Sequence, residues 1–137
     1  MALDLRKSGT VTDAPTWRTP DRYWPELTAA TRHLDAPVGA LHLGALRHNA
    51  LDMQRRANGT PIRVASKSVR VREVVEALLR MPGYRGVLAY TLAEALWLAD
   101  TVDDLVVGYP TAERRSIRRL ASDPDFASRI TLMVDSP

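Results

Sequence analysis

Cysteine is absent from the 137 residues, which removes disulfides, thiolate metal sites and cysteine nucleophiles from consideration. Nor does any stretch approach the ~20 consecutive apolar residues of a membrane helix. The opening MALDLRKSGTVTDAP also lacks the apolar run of a secretory signal. A cytoplasmic protein with no membrane partner is therefore expected. Glycine is sparse at 7 residues, and Gly108 stands alone where a phosphate-cradling loop needs several. Lysine is scarcer still: of 19 Lys and Arg residues, only Lys7 and Lys67 are lysine. A lysine inside the ordered region therefore stands out.

What is present describes one globular domain. Apolar residues make up 45% and charged residues 26%, far from the composition of disordered chains. The net charge of +3 raises the question of nucleic acid. However, bases and acids alternate along the chain, and the densest basic cluster, Arg114, Arg115, Arg118 and Arg119, has the helical spacing of a solvated face. No nucleic-acid partner is expected.

Residues 1–19 show no sustained period and read as an arm with little structure of its own. Residues 21–34 carry Trp24, Leu27, Ala30, Thr31 and Leu34 at amphipathic spacing, with Pro25 tolerable only in a first turn. Residues 1–36 thus form an arm and helix, and 37–137 a second unit. VGALHL (38–43) reads as a short strand. The helix after it, 44–57, has Leu46, Ala50, Met53 and Ala57 on one stripe and is closed by Asn58 and Gly59.

From Pro61 onward strands and helices alternate, which implies parallel pairing through crossovers. The strands are 62–67, 85–90, 104–109 and 129–135, mostly near-continuous apolar runs suited to a sheet covered on both faces. Between them lie a helix with Val71, Val74, Val75, Leu78 and Leu79 on one face, then a helix opened by a Thr91/Glu94 capping box with Leu92, Ala95, Leu96 and Ala99 buried. A weaker helix follows over 112–122, with Ile117, Leu120 and Ala121 as its apolar residues and Pro124 as its limit. The fold class is α/β. A full (β/α)8 barrel takes ~250 residues, so these units match its first half, preceded by a short strand and helices. A free half barrel exposes two apolar strand edges, so the expectation is a fragment of a longer chain, inactive by itself.

The chemistry centres on Lys67. Alternation places Arg63 and Ala65 on its side of the first strand and Ile62, Val64 and Ser66 on the other. If helices cover the Ile62 and Val64 side, Lys67 points into the barrel at a strand C-terminus, where barrel active sites lie. Burying an ammonium favours the neutral amine, the form that condenses with an aldehyde. The structural alternative is a strand-end lysine reaching into solvent. Tyr90 and Tyr109 end strands on the same rim, placed to flank a cofactor, although aromatics there are also common in cores; Asp135 shares that rim and also reads as a helix cap. His33, His42 and His48 are spread over different elements with no partner at metal-ligand spacing, and His42 and His48 read as packing or capping residues.

The ordered segments HLGALRHNALDMQRRA, IRVASKS, GVLAYTLAEALWLAD and DLVVGYP together resemble the opening of the alanine-racemase-like, fold-type III pyridoxal-phosphate barrels, over roughly residues 36–136. In that family the lysine ending the first barrel strand forms an imine with the cofactor, and Lys67 matches its position. True alanine racemases carry a Gly, His and Tyr-containing run after the lysine; here Ser68, Val69, Arg70 and Val71 follow. Arg63, Lys67, Ser68 and Arg70 are more similar to the D-threonine aldolase and D-serine dehydratase branch, although Ala65 stands where a histidine is usual. The resemblance implies a pyridoxal 5'-phosphate enzyme, a lyase, deaminase, aldolase or racemase, acting on a D-amino acid through a Lys67 Schiff base. It further implies Arg63 and Ser68 beside the cofactor, and a homodimer when full length. Any divalent-metal ligands, the phosphate site and the second catalytic face would lie beyond Pro137. Two other readings stand: a pyridoxal-phosphate carrier without turnover, and an unrelated open α/β binding module. The strand and helix at 38–57 favour the two-domain enzyme over the carrier, which consists of a barrel alone.

Overall fold

The computed structural model describes residues 3–6 and 16–135. Lys7 and the rest of the expected arm between them lie outside the described residues. After a single 3-10 turn at Thr16–Arg18, the elements run α1 (Pro20–Thr31), α2 (Leu43–Ala57), β1 (Ile62–Ala65), α3 (Arg72–Leu79), β2 (Tyr84–Ala89), α4 (Leu92–Leu98), β3 (Leu105–Val107), α5 (Arg114–Ala121), α6 (Pro124–Arg129) and β4 (Ile130–Leu132). Thus the chain is a mixed α/β protein with one four-stranded sheet, in the order β1-β2-β3-β4 and parallel throughout.

Register sorts the strand residues into two kinds of row. Val64, Val87, Leu105 and Ile130 lie side by side across the sheet and are all buried. The next row, Ala65, Leu88, Val106 and Thr131, is partly or fully open. One residue of shift turns a side chain to the other face. The buried row packs under α3 and α4, whose Val74, Val75, Leu78, Leu92, Ala95 and Leu96 complete the core. The expectation of a sheet covered on both faces is therefore corrected: among the described residues, only the helix face is covered.

A bulge sets the start of this register. Ile62 pairs with Tyr84 but Val64 pairs with Val87, so Arg85 and Gly86 together oppose Arg63. Gly86 has φ +69°, and a Cβ there would collide with the Arg63 guanidinium and with Asp104 Oδ2 at 2.6 Å. Only glycine meets both demands.

Several expectations from the sequence need correction. Residues 38–43 form no strand: Val38 and Leu41 are exposed, no described strand pairs with them, and the His42 imidazole instead accepts from Ala45 N–H as the N-cap of α2. The described part of the arm is packed, not loose. Leu5 is buried and Leu3 half-buried against the core, while Arg47 donates to the Leu5 carbonyl at 3.0 Å and Arg80 to that of Leu3 at 2.7 Å. Helix α1 buries no residue, and Pro25 lies past its first turn, where its missing N–H removes a bond to Asp21. In α5 the buried residue is Ser116, while Ile117 and Ala121 are exposed. Pro124 is not only a limit: with Asp123 as N-cap it opens α6. Val71 is exposed and Ala77 takes its place in the core.

Candidate functional site

The rim at the C-terminal ends of the strands gathers the residues that carry chemistry. Continuing the register of β1 and β2 by two residues brings Lys67 beside Tyr90. The ladder does continue: Ser66 N–H donates to the Leu88 carbonyl at 3.0 Å, and Gly108 N–H to that of Ala89 at 3.1 Å. Beyond these last bonds the side chains turn onto the open face. Lys67 Nζ lies 5.2 Å from the centre of the Tyr90 ring and 5.9 Å from that of Tyr109. The two rings meet edge to face at 5.3 Å, the arrangement their quadrupoles prefer. An ammonium facing two such rings is held by cation–π attraction.

Lys67 is exposed, as are Tyr90 and Tyr109. Alternation predicts the face correctly, since Val64 and Ser66 are buried while Arg63 and Lys67 are not. The expected burial is not seen, because the open face has no second layer among the described residues.

Behind the rim a buried polar link fixes the strand ends to each other. Ser66 is 2% exposed, and its hydroxyl lies 2.9 Å from Glu94 Oε2 and 3.2 Å from the Leu88 carbonyl. The same carboxylate oxygen accepts from Tyr90 N–H at 2.8 Å. Thr91 accepts from Glu94 N–H as the capping box predicts, but the Glu94 carboxylate turns to Tyr90 and Ser66 in place of the box's own return bond. It thereby ties the residue before Lys67 to the residue that faces Lys67. The signal in the sequence is Ser66 itself: alternation puts a hydroxyl on the covered face, and a buried hydroxyl requires a partner.

Arg70, singled out only through the resemblance, completes the cluster. Its Nε–H donates to the Lys67 carbonyl at 3.2 Å, and its guanidinium lies 5.8 Å from the Tyr90 ring centre. Among the described residues no carboxylate forms an ion pair with Lys67 or Arg70.

The remaining candidates lie elsewhere. Arg63 shares the face of Lys67, but four residues of strand, about 13 Å, separate them. Its guanidinium is engaged in a two-pronged pair with Asp104 at 2.7 and 3.0 Å. Ser68 is exposed, and its N–H turns back to the Ala65 carbonyl. Asp135 is exposed beyond β4. His42 caps α2 and touches Trp17 at 5.0 Å; His48 lies 3.0 Å from the Arg18 guanidinium. Among the described residues no cluster of three or more His, Asp or Glu is gathered to hold a metal, and no helix is long and apolar enough to cross a membrane.

The chain matches no family model, no curated protein and no solved structure.

Proposed function

We propose that this chain is the first half of a parallel (β/α)8 barrel and that it serves a pyridoxal-phosphate enzyme acting on an amino acid, D-configured at Cα. Consecutive parallel strands in the order β1-β2-β3-β4, with the helices on one face, wind in one direction as a barrel does; a doubly wound sheet reverses its order and covers both faces. The open face is then the barrel interior, and its C-terminal rim is where such barrels carry chemistry.

The observation that carries the reading is the Lys67 amine held on that rim between Tyr90 and Tyr109. Its surroundings suit pyridoxal phosphate: an exposed primary amine to join the aldehyde, aromatic faces beside it, and the Arg70 cation to attract an anionic group of the ligand. When bound, the cofactor supplies an electron sink for a bond broken at the substrate's Cα. Lys67 would hold the cofactor through its amine and would be placed to move a proton at the substrate's Cα on its own side. Tyr90 and Tyr109 keep the amine aimed at the open face, and the Ser66–Glu94 link holds the two strand ends in register. Aldol cleavage, deamination and racemisation share this electron sink and differ in which bond at Cα is broken first.

The test is consumption of D-amino acids by the full-length protein with pyridoxal phosphate. Turnover is expected, and Lys67→Ala should abolish it while leaving the circular dichroism unchanged. Equal turnover in Lys67→Ala would refute the reading. The second reading is a carrier without turnover: residues 38–43 are not a strand, although the helical half of the expected entry to a two-domain enzyme is present as α2. A carrier would bind the cofactor through Lys67 and consume no amino acid.

A further inference from the structure

Two cations share one aromatic ring at the rim. Lys67 Nζ and the Arg70 guanidinium lie 5.2 and 5.8 Å from the centre of Tyr90, and both residues are exposed. Their like charges repel, and among the described residues no acid compensates them. The nearby carboxylate, Glu94, is occupied by the Ser66 hydroxyl and Tyr90 N–H. Arg70 is also fixed in direction, because its Nε–H is bound to the Lys67 carbonyl. That bond leaves the two terminal nitrogens of the guanidinium for a ligand. They form a planar fork matched to two oxygens of a carboxylate or phosphate. Arg114, Arg115 and Arg118, by contrast, are spread along the exposed side of α5.

We propose that Arg70 is the oxyanion anchor of the Lys67 site: it takes the carboxylate or phosphate of a small ligand whose other end meets the Lys67 amine. This rests on the reading of Lys67 as the reactive amine, but its anion-binding half is testable without that reading. The two sources are the carboxylate of an amino acid and the phosphate of the cofactor, for which the resemblance implies a site beyond Pro137 to which Arg70 would be an addition.

The full chain, with 13C-labelled tyrosine, is titrated with inorganic phosphate and separately with acetate while the Tyr90 ring signals are followed. A saturable shift is expected with at least one anion. Arg70→Gln should weaken it at least about tenfold, as loss of a charge-assisted bond does, and Arg70→Lys should recover part. Arg118→Gln should respond as the wild type. A second arm compares borohydride-fixed capture on Lys67 of pyridoxal phosphate with that of pyridoxal, which lacks the phosphate. If the cofactor phosphate is the ligand, Arg70→Gln lowers capture of pyridoxal phosphate about tenfold at sub-saturating concentration and leaves pyridoxal unchanged. If the carboxylate is the ligand, neither capture changes and only the acetate response is lost. An Arg70→Gln protein that keeps the wild-type response to both anions overturns the proposal, as does a wild type that responds to neither. Absence of capture with an intact, Arg70-dependent anion response would instead refute the role of Lys67 and leave the anchor standing.

Discussion

The two faces of the sheet differ more than any two elements of the chain, although every strand contributes to both. On one side Val64, Val87, Leu105 and Ile130 form an unbroken buried row. On the other, one residue further along, Leu88 is 39% exposed, Arg63 pairs with Asp104, and Lys67 stands among tyrosines. The covered face is built for stability, because burying apolar area is the main favourable term in folding. The open face keeps polar and aromatic groups that contribute little to the fold and are free to meet a ligand.

A pair of leucines tests this contrast at its greatest amplitude. Leu96, 1% exposed beneath the sheet, should cost about 2–5 kcal/mol when cut to alanine. Leu88→Ala on the open face should cost under about 1 kcal/mol. Urea denaturation measures both, and equal losses would mean that Leu88 is covered in solution. The bulge comes next. Gly86→Ala forces a side chain into φ +69° and against the Arg63–Asp104 pair, for a loss of about 1–3 kcal/mol. Combining it with Asp104→Ala should recover part of that loss by removing one of the two obstacles, and no recovery would place the whole cost in the backbone.

Two tyrosines sharpen the comparison at smaller scale. Tyr84 is buried and its hydroxyl donates to the Ala50 carbonyl at 2.9 Å, so Tyr84→Phe should lower stability by about 1 kcal/mol. Tyr90→Phe should leave stability unchanged, because that ring is exposed. Burial also raises the pKa of the Tyr84 phenol. A raised folded pKa means that the associated stability is complete below the unfolded value, ~10, and is lost as pH rises through the folded one. The alkaline limb of the stability curve should therefore flatten in Tyr84→Phe. The smallest effect belongs to Glu113, the N-cap of α5. Hydrogen bonding from Ser116, side chain first and then backbone, together with Arg115 holds its carboxyl below the usual range. The contribution is present above the unfolded carboxyl pKa and is lost as pH falls through the folded one. Glu113→Gln should reduce the acid dependence of α5 hydrogen exchange and lower protection slightly at neutral pH, where the carboxylate's contribution is present.

Period and punctuation made the repeating part of the fold legible. Strand alternation at Ile62–Ala65 assigned the faces correctly, and Asn58, at φ 47°, ends α2 as its position after the apolar stripe predicts. What misled was apolar content without a partner. VGALHL has the composition of a strand, but pairing is a long-range property that no local window contains. Likewise Leu3 and Leu5 sit in a stretch without period and still pack, because two isolated leucines reach the core through carbonyls held by Arg47 and Arg80. Lys67 and Tyr90 were legible as rim residues from their places at strand ends. The distances that unite them with Arg70 were not, since they depend on how the chain turns after Ser66 and on the link through Glu94.

The central claim is that Lys67 carries the cofactor, and covalent capture tests it most directly. The full-length protein is loaded with pyridoxal phosphate, reduced with borohydride, digested and mapped by mass. The pyridoxyl mass should fall on the peptide containing Lys67, and Lys67→Ala should lose it while keeping the wild-type melting profile. Labelling that stays unchanged in Lys67→Ala, or that maps to Lys7, would show Lys67 to be an ordinary strand terminus and contradict the account.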